Sequence, residues 1–390
     1  MNWSHQQEKA LAAVGRWLTS DSQVFKLFGY AGTGKTTLAI HLAQQSNGRV
    51  LFGAYTGKAA SVMIDKGCTN ATTIHRLIYC PREKSTARLE ELQQKYESLP
   101  DNVLFSEQRE MLKEAIKKET KFLDTPHFDK NEESEIQFAD LVVIDECSMV
   151  GEQMKNDLLS YGVKILVLGD PAQLPPVREG GSFTRGQPDF MLTEVHRQAK
   201  DSPIIQMATT VREGGYLYNG KYGDCLVTNE QPNVDELLAF DQVIVGMNAT
   251  RRMLNAACHK KLFGNELVAI GEKVICLRNN HDIGLLNGVI STVESLAESE
   301  GPYLVADIGA GYILMHKHHF EMSEDVMPFW LRKEAEEFDY GYAVTCHKSQ
   351  GSQWPNIMVL DEANVFRKDA AKWLYTAITR AQSKLTLVRG

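Results

Sequence analysis

Residues 29–37 read GYAGTGKTT and fit the pattern G-x-x-x-x-G-K-[ST], with Gly29, Gly34, Lys35 and Thr36 at its fixed places. The spacing has a chemical reason. Glycines, here Gly29, Gly32 and Gly34, let a loop curl until its backbone N–H groups face phosphate oxygens, and Thr33 and Thr37 complete the cradle. A helix starting near Gly34 adds the positive end of its dipole. Lys35 reaches the β- and γ-phosphates, and Thr36 offers a hydroxyl to Mg²⁺. ATP and Mg²⁺ are therefore the expected cofactors. A second constellation follows at residues 141–146, where the apolar run LVVI ends in Asp145 and Glu146. At the end of a buried strand, the first carboxylate serves Mg²⁺ and the second polarises an attacking water. Open α/β sheets place ligands at that end. The run 164–168 leads into Gly169-Asp170-Pro171-Ala172-Gln173. Those residues suit a turn, and Gln173 suits a contact to the γ-phosphate.

Positioning these groups requires alternating strands and helices. Residues 24–28 and 50–54 are apolar strand-like runs, and Leu38, Ala39, Leu42 and Ala43 keep helical spacing after the loop. The alternation predicts a doubly wound parallel sheet. A helix over 4–18 precedes it, with Ser4 and Gln7 at capping-box spacing. Gln7 has two readings, as that cap or as an adenine-recognising side chain ahead of the loop. Residues 79–137 are dense in Glu, Lys, Gln and Arg. Within them Leu89, Leu92, Tyr96, Met111, Leu112 and Ile116 predict a helical hairpin turned at Pro100-Asp101-Asn102, flanked by a ribbon pairing 78–80 with 121–123. Further on, strands are expected at 242–246 and 385–388, with helices over 203–212 and 249–263. Short β runs at 273–277, 288–293, 303–306 and 312–315 suggest a small barrel inserted into a second α/β domain.

Composition bounds the function. At 390 residues the chain is long enough for two or more domains. Seven scattered cysteines without a C-x-x-C pair argue against zinc ribbons and disulfide frameworks and fit a reducing cytosol. No apolar run is long enough to span a bilayer, and no signal-peptide core stands at the N-terminus. A net charge of −8 excludes a protein that coats nucleic acid electrostatically, so binding to a strand needs a local groove.

In order along the chain, the motifs resemble those of the superfamily 1 helicases, most closely the 1B group of RecD-like and phage Dda-like DNA helicases. GYAGTGKT resembles motif I, YTGKAA and TTIHRL motifs Ia and Ib, VVIDECSM motif II, and GDPAQLPPV motif III. LTEVHRQ is similar to motif IV, YAVTCHKSQGSQW to motif V, and YTAITRAQ to motif VI. The segment GEKVICLRNNHDIGLLNGVISTV looks like the family's SH3-like barrel. Two departures stand out. Gln353 occupies a place where many relatives carry glutamate, and the 79–137 insertion is richer in helix than their β-hairpin pin.

The resemblance implies two RecA-like domains, an inserted mainly helical subdomain and an inserted SH3-like β-barrel. The expected limits are 1–78 with 138–187 for the first domain, 79–137 for the insertion, 188–266 with 339–390 for the second domain, and 267–338 for the barrel. It implies an ATP-dependent DNA helicase moving 5′ to 3′ on single strands. The catalytic group would be Lys35, Glu146, Gln173, Arg197 and Arg380, with Gly351 beside the nucleotide, Thr36 and Asp145 at the metal. Thr56, Lys58, Thr73 and His75 would grip the strand on the first domain, and Thr345, His347 and Lys348 on the second. Partners would be single-stranded and forked DNA and a replication or recombination protein. No membrane contact is implied. The setting would be the cytoplasm of a bacterial or phage-infected cell, at the nucleoid, with no nuclease-like extension after motif VI. A nucleic-acid-stimulated ATPase that translocates on RNA or remodels protein–nucleic-acid complexes without separating duplexes shares the same motifs, and an inactive scaffold is disfavoured by the intact Lys35, Asp145, Glu146 and the paired Arg197 and Arg380.

Overall fold

The computed structural model describes residues 3–46, 48–81, 87–100, 105–124, 128–175, 181–195, 201–280, 283–309, 311–321 and 334–390. A six-stranded, all-parallel sheet carries the loop. In spatial order its strands are Ala71–Thr73, Val50–Ala54, Leu141–Asp145, Ile165–Gly169, Val24–Gly29 and Phe190–Leu192. Its central strands Leu141–Asp145 and Ile165–Gly169 are almost wholly apolar because both faces are covered. Val143, Leu166 and Leu168 enter one core, whereas Val142, Ile144, Ile165 and Val167 enter the other. Register aligns the C-terminal ends: Ala54 lies opposite both Thr73 and Asp145, Phe28 opposite Gly169, and Gly29 opposite Leu192. Phe190–Leu192 thus extends the first sheet past the limit of 187 expected from sequence.

The second sheet runs Ala343–Thr345, Gln242–Val245, Trp354–Asp361, Ala381–Arg389, Cys225–Thr228, and Gly220–Tyr222, the last antiparallel to its neighbour. Between Gln242–Val245 and Ala343–Thr345 the chain forms helix Asn248–Phe263 and two three-stranded antiparallel sheets. One comprises Lys273–Cys276, Ile290–Thr292 and Phe338–Tyr340, the other Ser295–Ala297, Tyr303–Asp307 and Tyr312–His316. Their apolar side chains, Val274, Leu304, Met315 and Phe338 among them, share one core with Val243, Val245 and Leu254 of the second sheet's layer.

Helices Ala87–Ser98 and Ser106–Asp124 form where the hairpin was expected, while Asp101 and Asn102 of its expected turn lie outside the described residues. They meet through Arg109 over the Tyr96 ring at 4.3 Å and Arg88 near Glu119 at 3.6 Å. The ribbon differs from expectation. Tyr79–Pro81 pairs with Phe128–Lys130, and residues 121–123 continue the second helix instead. Among the described residues, no helix is long and apolar enough to cross a membrane.

Candidate nucleotide cleft

Strand Val24–Gly29 delivers the chain into the glycine loop, and the backbone there explains the residue types. Gly32 and Gly34 adopt φ of 77° and 78°, the left-handed region that glycine enters without strain. A Cβ on Gly29 would stand 2.6 Å from Thr33 Oγ1 and 2.8 Å from Leu192 Cβ, so only hydrogen fits. Helix Lys35–Gln45 begins at Gly34 with no side chain capping it, which leaves its first N–H groups facing the cleft. Lys35 Nζ donates to the Gly29 and Tyr30 carbonyls at 2.6 and 3.0 Å.

At the next strand end, Thr36 Oγ1 donates to Asp145 Oδ2 at 2.9 Å, and the Glu146 N–H donates to Asp145 Oδ1 at 2.8 Å. Glu146 sits at φ 53°, a left-handed conformation that costs a side-chain-bearing residue energy and marks functional positions. Withdrawal from water, then the charge of Asp145, pushes its carboxyl above the usual range, while Arg380 and Lys35 pull the other way. Gln173 is nearly buried, and its Oε1 has no hydrogen-bond partner. A buried acceptor without a donor fits a ligand that brings one.

These groups line a cleft of about 460 Å³ together with Lys58, Asp65, Lys66 and Asp170, closed from the second sheet's side by Gly351, Gln353, Thr379, Arg380 and Gln382. Thr37 lines the adjoining part of the cleft with Gly32, Gly34 and Ile205. Arg380 is 4% exposed and is held by the Thr376 and Ser352 carbonyls and by Thr379 Oγ1. Gly351, at φ 80°, approaches so closely that a Cβ would lie 2.9 Å from both Ala59 Cβ and Thr56 Oγ1. Arg197 lies outside the described residues. The donor set suits a nucleotide triphosphate with a hard cation. Among the described residues no cluster of three or more His, Cys, Asp or Glu could hold a metal ion. Thr36 and Asp145 would therefore leave most positions to phosphate and water, as Mg²⁺ prefers.

Gln7 uses both ends of its amide. Its Oε1 accepts from the Ser4 N–H at 3.0 Å, completing the capping box, and its Nε2 donates to the Thr33 carbonyl at 3.1 Å. It therefore braces the glycine loop from behind. Thr56, Thr73 and Thr345 each cap a helix, accepting from the N–H of Ala59, Arg76 and Lys348 respectively. Burial pushes the imidazoles of His75 and His347 down, toward the neutral ring. His75 contacts Tyr55, Tyr79 and Phe128, and His347 lies 5.7 Å from the Phe366 ring. Lys348 is exposed, whereas Lys58 faces the cleft beside Lys35. Sequence reasoning gave no site role to Lys66, whose type and spacing carried no signal, nor to Asp170 and Gln382, although both stand inside segments that resemble motifs III and VI. It also passed over Tyr375, five residues before Arg380 in the same helical turn region.

Residues 3–221 match the AAA domain family, and residues 340–388 match the UvrD-like helicase C-terminal domain. The first match covers more than half of the chain. The chain belongs to the AAA domain family and carries a UvrD-like helicase C-terminal domain. It is 26% identical over 276 residues to the ATP-dependent RecD2 DNA helicase of Deinococcus radiodurans, covering 63% of this chain and 36% of that protein. The chain thus spans about a third of that relative's length. Among solved structures it is similar to a Pif1 helicase studied in DNA unwinding at forked dsDNA, with TM-score 0.54, 19% identity, and coverage of 99% and 92% of the two chains. It is also similar to Bacteroides Pif1 bound to ssDNA, with TM-score 0.52, 16% identity and the same coverage. The α/β helicase fold with its parallel core is common to them.

Proposed function

We propose that this chain is an ATP-dependent DNA helicase that moves 5′ to 3′ along a single strand and separates duplex DNA at a fork. One observation carries the reading: Arg380 from the second sheet's side lines the same cleft as Lys35, Asp145 and Glu146 of the first. Hydrolysis then depends on how the two halves meet, and alternate closure becomes movement. Lys35 steadies the β- and γ-phosphates, Glu146 accepts a proton from the attacking water, and Gln173 holds that water by accepting from it through its free Oε1. Arg380, with Arg197, stabilises charge as it develops. Thr36 and Asp145 would hold Mg²⁺, which would supply positive charge to neutralise the phosphates. The nucleotide site includes Gly29, Gly32, Thr33, Gly34, Thr37 and Gly351. Thr56, Thr73, His75, Thr345, His347 and Lys348 form the strand track, and Lys58 bridges track and cleft.

We read the two antiparallel three-stranded sheets as the SH3-like barrel, and the Tyr79–Pro81/Phe128–Lys130 ribbon as the base of the strand-splitting element. Phe128, half exposed beside His75 and Tyr79, supplies apolar surface that can replace base stacking. Unwinding of 5′- and 3′-tailed forks of DNA and of RNA tests the reading. DNA forks with a 5′ tail should open with ATP. Opening of RNA forks alone would make the substrate RNA, and stimulated ATP hydrolysis without strand separation would replace the reading with a translocase or remodeller of protein–nucleic-acid complexes. Exchanging residues 85–120 for a Gly-Ser linker should leave stimulated ATPase in place while unwinding falls. Unaltered unwinding would remove the hairpin from the wedge.

A further inference from the structure

Helix Ala370–Ile378 carries a buried hydroxyl that none of these roles uses. Tyr375 is 1% exposed, and its oxygen is engaged twice across the cleft. It accepts from the Ala31 N–H of the glycine loop at 2.9 Å and donates to Asp170 Oδ2 at 2.6 Å. Asp170, itself 2% exposed, opens the loop that carries Gln173, and its Oδ1 accepts from the Ala172 N–H at 3.0 Å. The neighbouring Thr376 accepts from the Leu174 N–H at 2.8 Å through its hydroxyl, while its carbonyl accepts from Arg380 Nε at 3.1 Å. One turn of helix therefore touches the glycine loop, the Gln173 loop and the arginine. Packing alone does not explain this, because a buried phenol oxygen needs only one partner nearby and here both come from the other half of the molecule. Burial, followed by the charge of Asp170, pushes the phenol far above its usual range, so the proton stays on oxygen for donation.

We infer that Tyr375 is a positioning residue that ties Arg380 to the state of the glycine loop. A displacement of Ala31 or Asp170 is passed through a rigid aromatic ring to the helix, and from the Thr376 carbonyl to the guanidinium. The inference rests on the ATPase reading of the cleft.

The test is Tyr375→Phe in the full chain, which removes one oxygen and keeps the ring. Steady-state ATPase with saturating single-stranded DNA should show KM for ATP within about 3-fold of the parent and kcat lower by about 10-fold or more, the signature of an interaction realised in the closed state. Fluorescence anisotropy with labelled single-stranded DNA gives the second readout. A non-hydrolysable ATP analogue should shift strand affinity in the parent, and that shift should vanish in Y375F. Asp170→Asn keeps an acceptor oxygen and should lose less. It reads the same split if Y375F fails to fold. A Y375F protein that keeps the analogue-induced shift, or that loses kcat and ATP affinity in parallel, overturns the inference. A parent protein with no DNA-stimulated ATPase instead overturns the reading of the cleft, and the role of Tyr375 falls with it.

Discussion

In the first sheet the edge strand Ala71–Thr73 ends on a threonine that caps helix Ile74–Ile78, and in the second Ala343–Thr345 does the same for Cys346–Ser349. The residues read Thr-Ile-His-Arg and Thr-Cys-His-Lys. One strand inward the halves diverge. Val50–Ala54 leads to a helix capped by its own Thr56. Gln242–Val245 leads to helix Asn248–Phe263, where no residue caps from within. There the Glu362 carboxylate takes the turn, accepting from the Gly246 and Met247 N–H groups at 2.6 and 2.9 Å and from Thr250 Oγ1 at 2.5 Å. At the fifth place, Val24–Gly29 continues into the glycine loop, whereas Cys225–Thr228 continues into Asn229-Glu230-Gln231-Pro232. The frame is duplicated and the outer-edge device with it, but the phosphate cradle is not. A carboxylate already occupies a turn of the second half that could otherwise receive an anion. On the proposed reading, a strand is gripped twice and ATP is bound once, so the second half enters catalysis only through side chains it extends across the cleft.

The largest break in that asymmetry is at the cradle. Lys35→Ala should bring phosphate release to the level of a blank, since Lys58, Lys66 and Arg380 line the cleft but lie outside the glycine loop. Retention of measurable turnover would move the β/γ contact to one of those cations. Next is the side chain lent by the second half. Arg380→Ala should lower kcat by about 10³-fold while nucleotide affinity changes far less, because an arginine finger acts on developing charge. Equal losses in affinity and turnover would leave it a binding residue only.

Glu146 sharpens the comparison within the first half. Glu146→Gln should bind ATP with Mg²⁺ and turn over about 10²-fold more slowly or worse. The pH profile gives the sign. The acting base is the carboxylate, and burial with Asp145 alongside holds its proton more tightly than in an ordinary glutamate. In the free enzyme, read as kcat/KM for ATP, activity should therefore fall, as pH is lowered, at a pH above the ordinary carboxylate range, and this limb should disappear in E146Q. A limb that survives the substitution belongs to another group.

Why the cleft was legible and its closure was not follows from particular residues. Gly34, Lys35, Thr36, Asp145 and Glu146 are fixed by chemistry and by backbone constraints local to one strand end, so type and spacing suffice. Gln7 was left open between cap and ligand because the two uses appeared to compete for one amide, whereas the fold divides it, oxygen to Ser4 and nitrogen to Thr33. The ribbon register slipped because Lys121, Phe122 and Leu123 extend the periodicity of a helix that runs to Asp124. The bonds from Tyr375 and from Gln350, whose Nε2 donates to the Leu174 carbonyl at 2.9 Å, depend on how two halves dock, which no local pattern encodes. The Thr-x-His-basic pair is four residues long, too short to register as a repeat until topology places both copies at equivalent edges.

The smallest expected effect tests the plug in the second half. Glu362→Gln keeps the shape but replaces one acceptor oxygen by an NH₂ group facing donors, and it removes the negative charge at the N-terminus of the 16-residue helix Asn248–Phe263. Charge-assisted bonds of this kind suggest a loss of about 1–3 kcal/mol in stability. Urea unfolding should show it as a lower midpoint with an unchanged slope. Because the turn lies on the half without a cradle, ATPase per folded molecule should stay within about 2-fold, a change worth under 1 kcal/mol. A marked fall in DNA-stimulated ATPase at unaltered stability would mean that this turn belongs to the working surface after all. The two halves would then differ less in function than the glycine loop alone suggests.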